Sequence, residues 1–316
     1  MAPQHGSDDP DGPARPAPKP HWRLLTCGVR GPRKARYQDW VDGGVGRSFG
    51  VLVAVADGHG SAAHTRSHQG AKFAVEVFLE LAAEFARLAL DGGSALAQLR
   101  TQAQQRMPWN IVRAWEQRCA QDLREDPLEG RPAPAAGEKP SRRDLVPYGS
   151  TLLGAVITPG LVVAWQLGDG ELTLVNLDGT GPLLPLAPEQ PELGDETDSL
   201  CSRDAAQLIR VHWSPIAGAA QPPGLLMLST DGLSKSFADQ SGFEEFATGL
   251  YQRLEQGGPG PVRAQLGQWL SQAATYSGDD TTLVAAWYDR RAGLPVEEPD
   301  DSVYRQDLPS SSEDPS

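Results

Sequence analysis

Apolar and polar positions alternate with a period of two over several short stretches of this chain and with a period near 3.6 over a few longer ones. The strand-like runs fall at 22–29, 49–56, 151–157, 161–167, 171–177, 208–213, 224–230 and 281–287. Turn chemistry such as Gly168-Asp169-Gly170 separates some of them. Apolar residues at 71, 74, 75, 78, 81, 82, 85 and 88 follow the helical period without Gly or Pro, and Asp91-Gly92-Gly93 closes that helix. A second helical stretch is expected over about 94–124, with Pro108 breaking or kinking it. Two more helices, about 242–256 and 261–274, separate the last two strands. Many strands joined by short turns, with helix pairs to one side, predict stacked sheets flanked by helices, an α+β fold.

Composition trims this picture at both ends. Residues 1–21 are rich in Pro, Gly and Asp, and residues 291–316 are acidic and rich in Ser and Pro, so both are expected to be disordered tails. One domain is expected over 22–290, with a mobile Pro- and charge-rich insertion at about 126–147. The net charge of −13 gathers in residues 189–198 and beyond residue 289. No basic patch stands out, which argues against nucleic acid as a partner. Cys27, Cys119 and Cys201 are widely spaced and suggest neither a disulfide framework nor a zinc site. No apolar stretch is long enough to span a membrane, and no leader pattern opens the chain, so a cytoplasmic location is expected. Trp22, Trp109, Trp115, Trp165, Trp213 and Trp287 read as core residues. With no heptad or interface stripe visible, a monomer is expected.

Chemistry enters at the strand ends. Asp57, Asp169, Asp231 and Asp279 each lie at the edge of an apolar run. Carboxylates converging on one sheet edge make a hard, oxygen-rich site suited to Mg²⁺ or Mn²⁺, and so to phosphate-ester hydrolysis. In Asp57-Gly58-His59 the first and third side chains of an extended segment point the same way. Gly58 lacks a Cβ, so its carbonyl can approach a cation held by its neighbour. His64 and His68 have the spacing of a zinc pair but lack a third ligand, and read as a polar helix face. Gly149-Ser150-Thr151 lacks the flanking glycine of an esterase elbow.

Six short elements in order resemble the metal-dependent protein phosphatases of type 2C, in their bacterial branch. They are Tyr37-Gln-Asp39, Val55-Ala-Asp-Gly-His-Gly60, Tyr148-Gly-Ser-Thr-Leu-Leu-Gly-Ala155, Gln166-Leu-Gly-Asp-Gly170, Leu228-Ser-Thr-Asp-Gly-Leu233 and Ser277-Gly-Asp-Asp-Thr-Thr-Leu-Val284. The resemblance implies a four-layer α-β-β-α sandwich, two mainly antiparallel sheets between helix pairs, with a two-metal centre at one end. It implies that Asp57 bridges two Mn²⁺ or Mg²⁺ ions, that Gly58 gives its carbonyl to one, and that Asp231 and Asp279 hold the other. Asp39 is implied as an adjacent acid acting through bonded waters, and His59 as the general acid for the leaving seryl or threonyl oxygen. A water between two cations loses its proton near neutral pH and is poised for in-line attack on phosphorus. The implied substrate is a phosphorylated protein, the target of a cognate Ser/Thr kinase.

Four positions depart from the family pattern. Gln38 stands where a Glu is usual, and its amide is expected to orient bound water. Lys34 stands where the phosphate-gripping Arg is common; Arg33 and Arg36 flank it, so all three are candidates for binding phosphate. Asp280 replaces the usual Asn and reads as a turn carboxylate. Asp169 matches the position of a third metal in bacterial relatives, but Lys235 replaces the companion acid and is expected to repel a cation. These departures also admit an alternative: a catalytically weak relative that binds a phosphorylated partner as a regulatory module.

Overall fold

The computed structural model describes residues 22–46, 50–130, 135, 137–187, 197–217 and 220–290. The terminal tails and part of the insertion therefore lie outside the described residues. Nine strands run as β1 Trp22–Val29, β2 Trp40–Gly46, β3 Gly50–Ala56, β4 Leu152–Thr158, β5 Leu161–Leu167, β6 Glu171–Asn176, β7 Arg210–Pro215, β8 Pro223–Ser229 and β9 Thr281–Tyr288. They build one sheet in the order β1-β9-β8-β6 and another in the order β2-β3-β4-β5-β7, with every pairing antiparallel. The helices are α1 Ser67–Leu90, α2 Leu96–Thr101, α3 Met107–Glu125, α4 Arg142–Leu145, α5 Ala205–Leu208, α6 Asp231–Ser234, α7 Gln240–Gly257 and α8 Pro259–Ser277.

Three apolar clusters define four layers. Val51, Val53, Val55, Leu153 and Ala155 of one sheet meet Leu226, Leu228, Val284 and Ala286 of the other, sealing the inner interface. The opposite faces of these strands alternate outward. Leu52, Ala54 and Trp165 pack under α1 and α3, and Leu225, Met227 and Ala285 pack under α7 and α8. The expected α-β-β-α sandwich is therefore the observed fold. Strands buried on both faces explain why β4, β5 and β8 are almost wholly apolar instead of alternating.

Several local expectations change. Pro108 does not break its helix. It sits in the first turn of α3, directly after a π turn at Gln102–Arg106 that joins α2 to α3. Trp109 is 58% exposed and is not a core residue, because the α3 periodicity buries Ile111 and Trp115 instead. His64 precedes α1 and its Nδ1 lies 2.5 Å from the Val146 carbonyl oxygen, while His68 lies inside the helix beside Arg36. The insertion carries the short α4 and a 3₁₀ turn at Val146–Tyr148. Cys119 and Cys201 are buried free thiols.

Candidate metal centre

Strand register brings the acids together. The β2–β3 ladder ends with Trp40 opposite Ala56, so Asp39 and Asp57 fall one step beyond it on facing strands. In the other sheet Ser229 pairs with Leu283, and the next rung is carried by the Thr230 amide donating to the Thr282 carbonyl at 3.0 Å. Asp231 opens α6 directly after that rung, and Asp279-Asp280 precede β9. Each sheet thus delivers acids to the same end of the sandwich. Asp169 enters from the turn by which the chain crosses from β5 to β6, that is, from one sheet to the other.

Glycines permit the close approach. A Cβ on Gly58 would lie 2.7 Å from the Gln38 carbonyl oxygen and 2.8 Å from Ser67 backbone, and one on Gly232 would lie 1.9 Å from the Asp280 carbonyl oxygen. The Asp57-Gly58-His59 segment is fixed from the far side by the Asp57 amide donating to Thr151 Oγ1 (2.9 Å), the Thr151 amide to the Asp57 carbonyl (2.8 Å) and the His59 amide to the Gly149 carbonyl (3.1 Å).

Electrostatics identify the centre. Burial first, and then the neighbouring carboxylates of Asp39, Asp231 and Asp279, push the Asp57 pKa well above the ordinary range. Asp39 is raised to about 7 by burial and then by Asp280, and Asp231 to about 6 by burial and then by Asp169. Asp39 Oδ2 accepts from Thr230 Oγ1 at 2.9 Å and Thr282 Oγ1 at 2.6 Å, whereas Asp39 Oδ1 and Asp231 Oδ1 are buried without a donor. Buried acceptors left without partners are costly, and a proton shared between the acids or a bound cation would satisfy them; Asp39 and Asp57 lie close enough to share one.

Ammonium groups hold the outer oxygens. Lys34 Nζ lies 2.5 Å from Asp279 Oδ1, and Lys235 Nζ pairs with Asp231 Oδ2 and lies 3.4 Å from Asp169 Oδ2. Among the described residues no three His, Cys, Asp or Glu side chains close around a single point. Carboxylates without an intervening cation repel one another, so an open ring is the arrangement expected of this acid set. The donor set is all carboxylate and carbonyl oxygen, two of its buried acceptors are unsatisfied, and two ammonium groups already stand at its rim. It fits hard divalent cations.

The remaining site candidates separate clearly. Lys34 faces the acids, but Arg33 donates to the Ser277 carbonyl at 3.2 Å and Arg36 lies 3.5 Å from His68 Nδ1. Gln38 is braced through Nε2, which donates to Ser67 Oγ (2.8 Å) and the His59 carbonyl (3.2 Å), while its Oε1 lies 3.5 Å from Lys34 Nζ. Asp280 is not the turn carboxylate expected but a long-range brace, accepting from the Gly31 amide at 2.8 Å and the Gln38 amide at 2.6 Å. His59 lies with its ring centroid 5.0 Å from that of His64. Its Nε2 is buried without a partner, and burial followed by His64 lowers its pKa to about 4. The sequence reading missed Thr230, Thr282 and Tyr37, whose hydroxyl lies 2.5 Å from Thr282 Oγ1. Their only signal was closeness to the acids, inside Tyr-Gln-Asp, Ser-Thr-Asp and Asp-Asp-Thr-Thr.

Comparison with known proteins places this arrangement. The protein phosphatase 2C family matches residues 32–271, and the chain belongs to that family of protein serine/threonine phosphatases. A crystal structure of a bacterial serine phosphatase is 15% identical, with a TM-score of 0.51 over 85% of this chain and 98% of that one. Serine/threonine phosphatase Stp1 from Staphylococcus aureus is 13% identical, with a TM-score of 0.52 over 84% of this chain and 94% of that one. The S. agalactiae serine/threonine phosphatase is 14% identical, with a TM-score of 0.50 over 84% and 99%. At these identities the likeness is one of fold. No match was found among curated proteins.

Proposed function

We propose that this chain hydrolyses phosphoserine and phosphothreonine on proteins at a centre for two Mn²⁺ or Mg²⁺ ions, held by Asp57, the Gly58 carbonyl, Asp231 and Asp279. The observation that carries this reading is the pair of buried, donorless oxygens, Asp39 Oδ1 and Asp231 Oδ1, beside an Asp57 whose pKa is driven up by burial and then by three neighbouring carboxylates. Two bound divalent ions supply a water activated near neutral pH and offset charge developing on the phosphoryl oxygens.

The chain's own groups supply the rest. Asp39 is pinned through Oδ2 by two threonine hydroxyls, leaving Oδ1 to accept a proton or orient water. Lys34, the basic side chain that faces the acids, is the phosphate-binding residue of the three candidates, acting as a point charge and not a bidentate fork. His59 is neutral in the free protein; a phosphate dianion beside it favours the charged imidazolium, which then protonates the departing alkoxide. The substrate is accordingly a phosphoprotein, the target of a cognate kinase, met by a cytoplasmic bacterial monomer. No helix among the described residues is long and apolar enough to cross a membrane.

A specific observation favours a second reading, a phosphatase-like regulatory module. Lys34 occupies an Asp279 oxygen that an ion would need. Turnover of p-nitrophenyl phosphate with and without Mn²⁺, then of phosphoserine and phosphothreonine peptides, separates the two. Activity that needs Mn²⁺ and collapses in Asp57→Asn and Asp231→Asn supports the enzyme; unchanged turnover in those variants excludes the mechanism. A protein with no turnover and no calorimetric Mn²⁺ uptake is the module.

A further inference from the structure

One corner of the centre already contains a cation of its own. Asp169, Glu171 and Asp231 lie at the end of the sandwich where β6 begins and β8 ends, Glu171 pairing with Ser229 across that ladder and feeling the charge of both aspartates. The Lys235 ammonium lies in this corner, paired with Asp231 Oδ2 and 3.4 Å from Asp169 Oδ2. The same Asp169 oxygen also accepts from Thr197 Oγ1 at 3.1 Å. The other basic group nearby is Arg210, which donates to the Gly168 carbonyl at 2.8 Å and lowers the Glu171 pKa against the raising effects of burial and Asp169. The contrast with the inner side is sharp. Asp39 Oδ1 and Asp231 Oδ1 lack donors, while Asp169 Oδ2 and Asp231 Oδ2 have them.

We infer that Lys235 is a built-in cation that closes the outer edge of the centre, so that the native protein takes two divalent ions and the Asp169–Glu171–Asp231 corner takes none. The inference rests on the two-ion reading above. Asp231 divides its oxygens, one inward to the ions and one outward to the ammonium. A further divalent ion would have to enter against the positive charge of Lys235 or detach it from Asp231, whose side chain is only 8% exposed. Water at the rim screens the Asp169 end of the bridge, because that side chain is 37% exposed; the Asp231 end is shielded. Lys235 sits one turn from Asp231 in the first residue after α6, so local helix geometry fixes its reach.

The test counts ions, with MnCl₂ as the probe, by equilibrium dialysis and elemental analysis on the full chain. The expected result is two Mn²⁺ per wild-type chain and three per Lys235→Asp chain, the third bound at least about tenfold more tightly than any third ion of the wild type. Asp169→Asn in the Lys235→Asp background is expected to return the count to two. Lys235→Met, which removes the charge without adding a ligand, is expected to admit a weaker third ion and serves if the aspartate variant does not fold. Three ions on the wild type overturn the inference, and so does a count of two on both Lys235 variants. A wild-type count below two, unchanged by Asp57→Asn, overturns the two-ion reading itself and the inference with it, a result distinct from either of the others.

Discussion

Thr230 and Thr282 are tied to each other and to one acid: the Thr282 amide donates to Thr230 Oγ1 at 3.0 Å, and both hydroxyls donate to the same Oδ2 of Asp39. A carboxylate held in this way has its free oxygen aimed by two strands at once. Thr282→Val keeps the shape and deletes one donor. It is expected to weaken Mn²⁺ affinity or turnover about 10–100-fold, the usual cost of removing a group that orients a ligand. Calorimetric titration beside p-nitrophenyl phosphate kinetics checks this; unaltered values for both would show that the hydroxyl is idle.

Of Arg33, Lys34 and Arg36, Lys34 is the one aimed at the acids. Lys34→Met is expected to raise KM for a phosphopeptide about tenfold or more, with Lys34→Arg recovering most of it. Arg33→Ala and Arg36→Ala, whose guanidiniums turn to Ser277 and His68, are expected to leave KM within about twofold. Steady-state kinetics on the four variants decide the matter, and a KM defect following Arg36 would move the phosphate site.

The metal-free protein should lose stability as pH rises through neutrality. Asp39 and Glu171 have pKa values raised to about 7, and burial and its acidic neighbours raise Asp57 well above the ordinary carboxylate range, so the folded state retains protons that the unfolded chain has released. This stabilisation is lost as pH climbs from the ordinary carboxylate range through about 7. His59 and His212, lowered by burial from 6.5, act in the opposite sense, but only below that pH. Above it the acids stand alone. In chelator, Tm is expected to fall from pH 6.5 to 8, and Mn²⁺ or Asp39→Asn is expected to flatten the slope. A rising Tm over that interval contradicts the scheme.

Trp165 fills the space under α1, edge-on to Phe78 and Phe85, and its Nε1 donates to the Ala103 carbonyl inside the π turn at 2.8 Å. Trp165→Phe is expected to cost about 1–3 kcal/mol by leaving that buried carbonyl unpaired, beyond the lost volume. Denaturant unfolding measures it, and a loss below about 0.5 kcal/mol would mean that water replaces the indole.

Periodicity exposed the sandwich because each strand, buried on one or both faces, carries its own apolar signature, as in β3 and β9. The acids were legible because each ends such a run. What escaped depends on contacts distant in sequence. Asp280 braces Gly31 and Gln38 across more than two hundred residues, and nothing in Asp279-Asp280 distinguishes a ligand from a brace. Nothing in the sequence shows that Ser67 and the His59 carbonyl hold the amide N–H groups of Gln38. Trp109 seemed a core residue by type, and only the phase of α3 turns it outward.

Asp39 and Asp57 belong to one sheet, and Asp231 and Asp279 flank strands of the other. An ion shared among them, as proposed, would work as a clasp across the seam between the two sheets. Chelation should let that seam part from the catalytic end first, with amide exchange quickening at Thr230 and Thr282 while the opposite end of the same strands stays protected.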